Sequence, residues 1–175
     1  MTEKYLISND KLIPFFKEIN KYAEGVHVLN EGASLKSIEQ VEQQINVRLP
    51  KIYKDFLHTS NGGELFAVPS GTVLCEVYDV SSGPRQKGGA YLDEVFMPQR
   101  RWPGMRSDYL IIADKNFGDT ICIDISTSNG DDAEIIQWDH EIGEVSSKWE
   151  GLVDWLMEEL EMGALHVNYN GSDKE

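Results

Sequence analysis

At Asn61-Gly62-Gly63 the spacing of apolar residues changes from that of helices to that of strands. Before it, Ile38, Val41 and Ile45 recur at three- and four-residue steps, with Glu39, Gln40, Glu42, Gln43 and Gln44 between them. This is the pattern of a helix with one buried face, and Ser34 is placed to cap it. Leu49-Pro50 then breaks the chain, because proline disfavours helix at Leu49 and is pre-organised to open the next one. Ile52, Tyr53, Phe56 and Leu57 form the stripe of that next helix, and Asn61-Gly62-Gly63 offers the left-handed backbone that ends it. Two helices followed by strands imply an α+β fold.

Upstream, Leu12, Ile13, Phe15, Phe16 and Ile19 predict a first helix, capped by Asp10 with Pro14 in its first turn and stopped at Gly25. Downstream, Leu65, Phe66 and Val68 read as a short strand, whereas 73–80 is ambiguous between strand and helix. Residues 81–106 form a long loop carrying Arg85, Lys87, Arg100, Arg101 and Arg106, a basic stretch in an acidic chain. Long loops are often functional. Three strands follow: a continuous apolar run over 109–113, expected at the centre of a sheet, an alternating one over 120–125, and a third over 134–138. Trp149, Leu152, Val153, Leu156, Met157 and Leu160 predict a closing helix that begins at Ser146 or Ser147. The reading is one domain over 1–161 and a polar, frayed tail over 162–175.

Sixteen basic against thirty acidic residues leave a formal net charge of −14. Such a surface repels phosphates, which argues against direct nucleic-acid binding and suits either solubility or a basic protein partner. Between Asp139 and Glu175 ten acidic residues face only Lys148 and Lys174. Two cysteines, Cys75 and Cys122, are too few for a disulfide scaffold and read as buried thiols. The start, MTEKYLISNDK, lacks the apolar core of a signal peptide, and no stretch is long enough to span a bilayer. Cytoplasmic residence with no membrane partner is the expectation.

Motifs for chemistry are weak. The segment 114–124, DKNFGDTICID, fails as a calcium loop, since its sixth position is Asp119 and its twelfth Ile125. It reads instead as a hairpin whose turn uses Asn116, Gly118 and Asp119. Asp139-His140-Glu141 reads as another polar turn, because neighbours in a turn do not converge on a metal without further ligands. No nucleophile elbow, phosphate loop or dinucleotide fingerprint is present, so no catalytic residue, metal or cofactor is assigned. Exposed aromatics are enriched at binding hot spots, which brings Trp102 in the basic loop and Trp138 at a strand end into consideration. Trp149 and Trp155, assigned to the closing helix, read as packing residues.

The order of these motifs resembles the SUKH superfamily, which includes fungal glucan-synthesis regulators and bacterial immunity proteins. The shared features are Glu42 in a helix, Leu49-Pro50, Tyr53 with Phe56-Leu57, Asn61-Gly62-Gly63, the run YLIIADKNFGDTICIDI, and QWDHE at 137–141. The likeness spans about 10–160. The loop 81–106 and the tail have no evident counterpart. The resemblance implies a mixed, mainly antiparallel sheet with helices packed against it, and no catalysis. It also implies an immunity protein that binds and blocks a toxin domain, such as a basic nuclease, or alternatively a regulatory adaptor. Asp114, Asp119, Asp139 and Glu141, with Trp138 and Trp102, are the expected contact residues, because acids at strand ends would steer a basic partner.

Overall fold

In the computed structural model, which describes residues 5–67, 71–78, 90–95 and 101–174, helix α1 (Ile13–Ile19) follows a 3-10 turn over Asp10–Leu12. The cap expected at Asp10 is Asn9, and it caps the 3-10 turn: the Asn9 side chain accepts from the Lys11 N–H, while α1 itself begins from Leu12 without a side-chain cap. Pro14 sits in the first helical turn as expected. The helix stops at Ile19, six residues before Gly25.

Helix α2 (Leu35–Ile45) starts at Ser34, whose hydroxyl accepts from the Ser37 N–H at 3.2 Å. Ile38, Val41 and Ile45 are buried, as their spacing requires. The Glu42 carboxylate accepts from the Leu49 N–H at 2.7 Å, so α2 itself closes the turn leading to Pro50 and α3 (Lys51–Thr59). Ile52, Tyr53, Phe56 and Leu57 are all buried, and Phe56 meets the rings of Phe15 and Phe16.

The strands are β1 (Val28–Leu29), β2 (Gly63–Leu65), β3 (Thr72–Leu74), β4 (Tyr109–Asp114), β5 (Thr120–Asp124), β6 (Ile135–Asp139) and β7 (Glu144–Trp149). They pair in chain order, each antiparallel to the next, in one seven-stranded sheet. Parallel geometry enters among the described residues only as the isolated bridges Glu24–His27 and Glu76–Tyr91. β4 lies fourth of seven and is buried on both faces, in agreement with its unbroken apolar run. Two further helices are α4 (Leu92–Val95) and α5 (Leu152–Ala164), and α5 packs on α1 and β7. The α+β class and the helix-covered sheet are therefore as the sequence implies.

Gly62 and Gly63 do adopt left-handed φ angles, 70° and 125°, but they do not cap α3, which ends at Thr59 with Ser60 extended. They are glycines because the sheet closes on them. A Cβ on Gly63 would lie 2.2 Å from the Val28 carbonyl oxygen, and one on Gly62 2.7 Å from that of Cys75.

Several expectations are corrected. The closing helix starts at Leu152, not at Ser146 or Ser147, and Trp149 lies on β7 rather than on the helix. Ser147 and Lys148 are tied to Gln137 and Ile136 across the sheet, and this pairing outweighs the local helix signal. The true start is built by tertiary contact, since the Asp132 carboxylate accepts from the Leu152 N–H at 3.2 Å. Phe66 leaves the strand predicted for it, turning with φ 51°, and Val68 lies outside the described residues. Nor is the tail frayed. Val167 is buried, the Tyr169 carbonyl accepts from the Ala23 N–H at 2.6 Å, and the Lys174 N–H donates to His166 O at 2.7 Å. Tyr169 also sets its ring edge-on to Tyr22 at 4.8 Å, so two apolar anchors hold a polar segment.

Of the basic loop, Arg85, Lys87 and Arg100 lie outside the described residues. The described part is not a bare loop. It contains α4 with Tyr91 and Leu92 buried, and Arg101 and Arg106 are bonded to the chain itself.

Candidate functional site

The turns β4–β5 and β6–β7 emerge side by side at one end of the sheet, because β5 pairs with β6 through Thr120–Trp138. The first is the predicted hairpin: the Lys115 N–H donates to Asp119 O and the Gly118 N–H to Lys115 O. The second is closed by Asp139, whose Oδ1 accepts from the N–H groups of Glu141 and Ile142 at 2.9 and 3.1 Å.

Asp119 joins the two turns. Only 6% exposed, it accepts from Gln137 Nε2 at 2.7 Å, from the His140 N–H at 3.2 Å and from His140 Nδ1 at 2.8 Å. A carboxylate only accepts, so His140 carries a proton on Nδ1. Burial alone would push the Asp119 carboxyl up, but the bonds from His140 and Gln137 outweigh it and hold it below the ordinary carboxylate value. The imidazole packs against Gly118, where a Cβ would meet its Cε1 at 2.8 Å, and Trp102 lies over it at 5.2 Å between centroids. Asp119, Asp139 and His140 bring ligand-type atoms within 4.8 Å of one another. Asp119, from the neighbouring hairpin, is a third group that the local sequence could not supply. With three bonds on Asp119 and two on Asp139, the trio is engaged as a latch between the turns.

The six expected contact residues thus separate. Asp119, Asp139 and Trp102 gather around His140, with Glu141 exposed in the same turn. Asp114 is at the end of β4, half-buried, opposite Thr120 and Val73. Trp138 is 5% exposed and packs beside Tyr109 and Gly104, so it lies beneath the surface. The basic side chains nearby are bonded within the chain. Arg101 donates to the Tyr109 carbonyl at 2.7 Å, and Arg106 pairs with Asp108 at 2.5 Å and Asp124 at 3.5 Å.

Two residues of this end were missed. Phe117 and Ile142 stand at the tips of the two turns, 58% and 65% exposed. Their signal was present: a large apolar residue in each polar turn, NFGD and HEIGE, where nothing local would bury it.

The sequence matches the SMI1 / KNR4 family (SUKH-1) over residues 32–158. This chain belongs to that family. The match spans both the α2–α3 pair and the two hairpins of the site, so SUKH-1 membership covers the features that suggested it. A solved structure, that of a protein from Pseudomonas syringae pv. tomato, shares the fold with a TM-score of 0.59 at 20% identity, over 84% of this chain and 96% of the other. Among curated proteins none matches. No described helix of this SUKH-1 chain is long and apolar enough to cross a membrane.

Proposed function

We propose that this SUKH-1 chain is a non-enzymatic immunity protein, acting in the cytoplasm, that binds and blocks a basic toxin domain such as a nuclease. The observation that carries this reading is the net charge of −14 on a member of this family. Complementary charge accelerates association, toward about 10⁸–10⁹ M⁻¹s⁻¹ in steered pairs, and an acidic surface suits the cleft of an enzyme that holds phosphates. Asp139, Glu141 and Trp102 meet the partner, Asp114 borders them, and the buried Asp119 and Trp138 support the turns from below.

The test is capture from native lysate with the tagged chain at low and high salt, followed by co-expression with whatever is captured. One basic partner at one-to-one stoichiometry, whose toxicity the chain relieves, supports the immunity reading. Several salt-labile partners with no toxicity support the adaptor reading. No partner at either salt counts against both.

A further inference from the structure

Beside the hairpin tips, the sheet and α5 enclose a groove of about 490 Å³. Residues paired directly across a sheet share a face. Leu65 with Thr72, and Gln137 with Ser147, therefore form one floor. The walls include Phe117 from the β4–β5 turn, Trp149 from β7, and Met162 from α5. Pockets that seat a ligand or an anchoring side chain measure roughly 300–1,000 Å³ and are mostly apolar. Phe117 and Met162 are 58% and 54% exposed, so both wall residues keep a large apolar surface in water.

The charge at the mouth is one-sided. Lys115 is spent internally, with its Nζ 2.6 and 2.5 Å from the two Glu159 oxygens, and the Thr72 hydroxyl donates to the same carboxylate. Glu158 accepts from Trp149 Nε1 at 2.8 Å but forms no ion pair among the described residues. The groove therefore has apolar walls with the exposed Glu158 carboxylate as its acidic lip. That lip repels phosphate, and the chain's net −14 opposes a second copy as occupant.

We infer that this groove is the docking site for a short segment of a protein partner that carries one large apolar side chain between basic residues. The inference rests on the reading that the chain binds a basic protein, and it names where that protein is anchored. An aromatic or long aliphatic side chain fills the space between Phe117 and Met162, and a flanking Lys or Arg residue reaches Glu158. Aromatic anchors in pockets, ringed by polar residues, carry most of the energy in interfaces of this kind.

The experiment titrates the ¹⁵N-labelled chain with the amidated peptide GRKWLRKG, following the indole N–H signals of Trp149 and Trp102. Controls are the same peptide with serine in place of tryptophan, and the acidic peptide GEDWLDEG. The expected result is a saturable Trp149 shift with the first peptide and binding at least tenfold weaker with either control. Phe117→Asp and Met162→Arg, both at exposed positions, should each weaken it at least tenfold with unchanged Tm. A shift of Trp102 alone would overturn the groove while leaving the protein-binding reading in place, with the partner on the hairpin tips. Silence of both indoles to millimolar peptide would also overturn the groove. The wider reading stands or falls separately, by the lysate capture.

Discussion

Asn61 grips the peptide of Val77 from both sides: its Nδ2 donates to the Val77 carbonyl and its Oδ1 accepts from the Val77 N–H, each at 2.8 Å. A side-chain amide here takes the place of a strand and ties the end of α3 to the chain beyond β3. Both residues are buried, so losing the amide leaves a donor and an acceptor stranded. Asn61→Leu should therefore destabilise by about 2–6 kcal/mol, from about 1–3 for each of the two unsatisfied groups. Urea unfolding measures it, and a loss below 1 kcal/mol would mean that water replaces the amide.

Gly163 on α5 is placed against Phe66, where a Cβ would come within 2.1 Å of the ring. That ring packs edge-on against His27 at 4.5 Å and Tyr22 at 5.5 Å, contacts that a displacement would disturb. Alanine raises helix propensity by about 1 kcal/mol, but overpacking costs about 1–3 kcal/mol and should win. Thermal melting of Gly163→Ala should show a lower Tm; a higher one would place Phe66 in a looser pocket.

His27 accepts from the Phe66 N–H through Nδ1 at 3.2 Å, which leaves its proton on Nε2, buried without a partner among the described residues. Burial pushes its pKa down to about 4 from 6.5. The unfolded chain therefore takes up this proton first as pH falls. The stabilisation is fully present above about pH 6.5 and is lost between there and about pH 4. His27→Gln lacks this loss. Its Tm deficit relative to the native chain should shrink from pH 7 to pH 4, and a constant deficit would rule out the shift.

Charge reversal at Asp139 and Glu141 together should slow association with a basic partner and flatten its salt dependence, because both remain near the surface in the β6–β7 turn. Stopped-flow rates at two ionic strengths test this, and unchanged rates would remove the turn from the contact surface. Asp119→Asn is expected to behave differently. It weakens the hold on His140 and lowers stability, with the binding effect following from that.

Cys75 and Cys122 are both free and buried. Burial pushes the Cys122 thiol up to about 12 and that of Cys75 well above its ordinary value. Neither should react with a disulfide-exchange reagent in the native protein, and both should in urea. Fast native labelling would indicate an opening of the sheet at β5 or of the segment after β3.

The parts legible in the sequence are those whose signal lies within a few residues. The α2 stripe needs only its own periodicity and Ser34, and the β4–β5 hairpin needs only alternation around a polar turn. The candidate site was half legible. Acids at the strand ends were visible, but that Asp119 would turn inward was not, because its partners Gln137 and His140 are 18 and 21 residues away. Phe117 and Ile142 could have been singled out as apolar residues stranded in polar turns. That Phe117 would wall a groove could not.

The fold class, the helix pair joined by Leu49-Pro50, the central place of β4 and the acidic surface were all readable along the chain. Each follows from local spacing or from composition. Three-dimensional packing was needed to make Ser146–Trp149 an edge strand, to start α5 at a carboxylate from Asp132, and to dock the polar tail through Val167 and Tyr169. The deciding partner is 20 residues away for Leu152 and at the other end of the chain for Tyr169, whereas β7 is held by β6 across one short turn whose pairing outweighs the helix signal. A bond to a distant partner overrides a local preference worth a few tenths of a kcal/mol, and no window of sequence contains both ends of it.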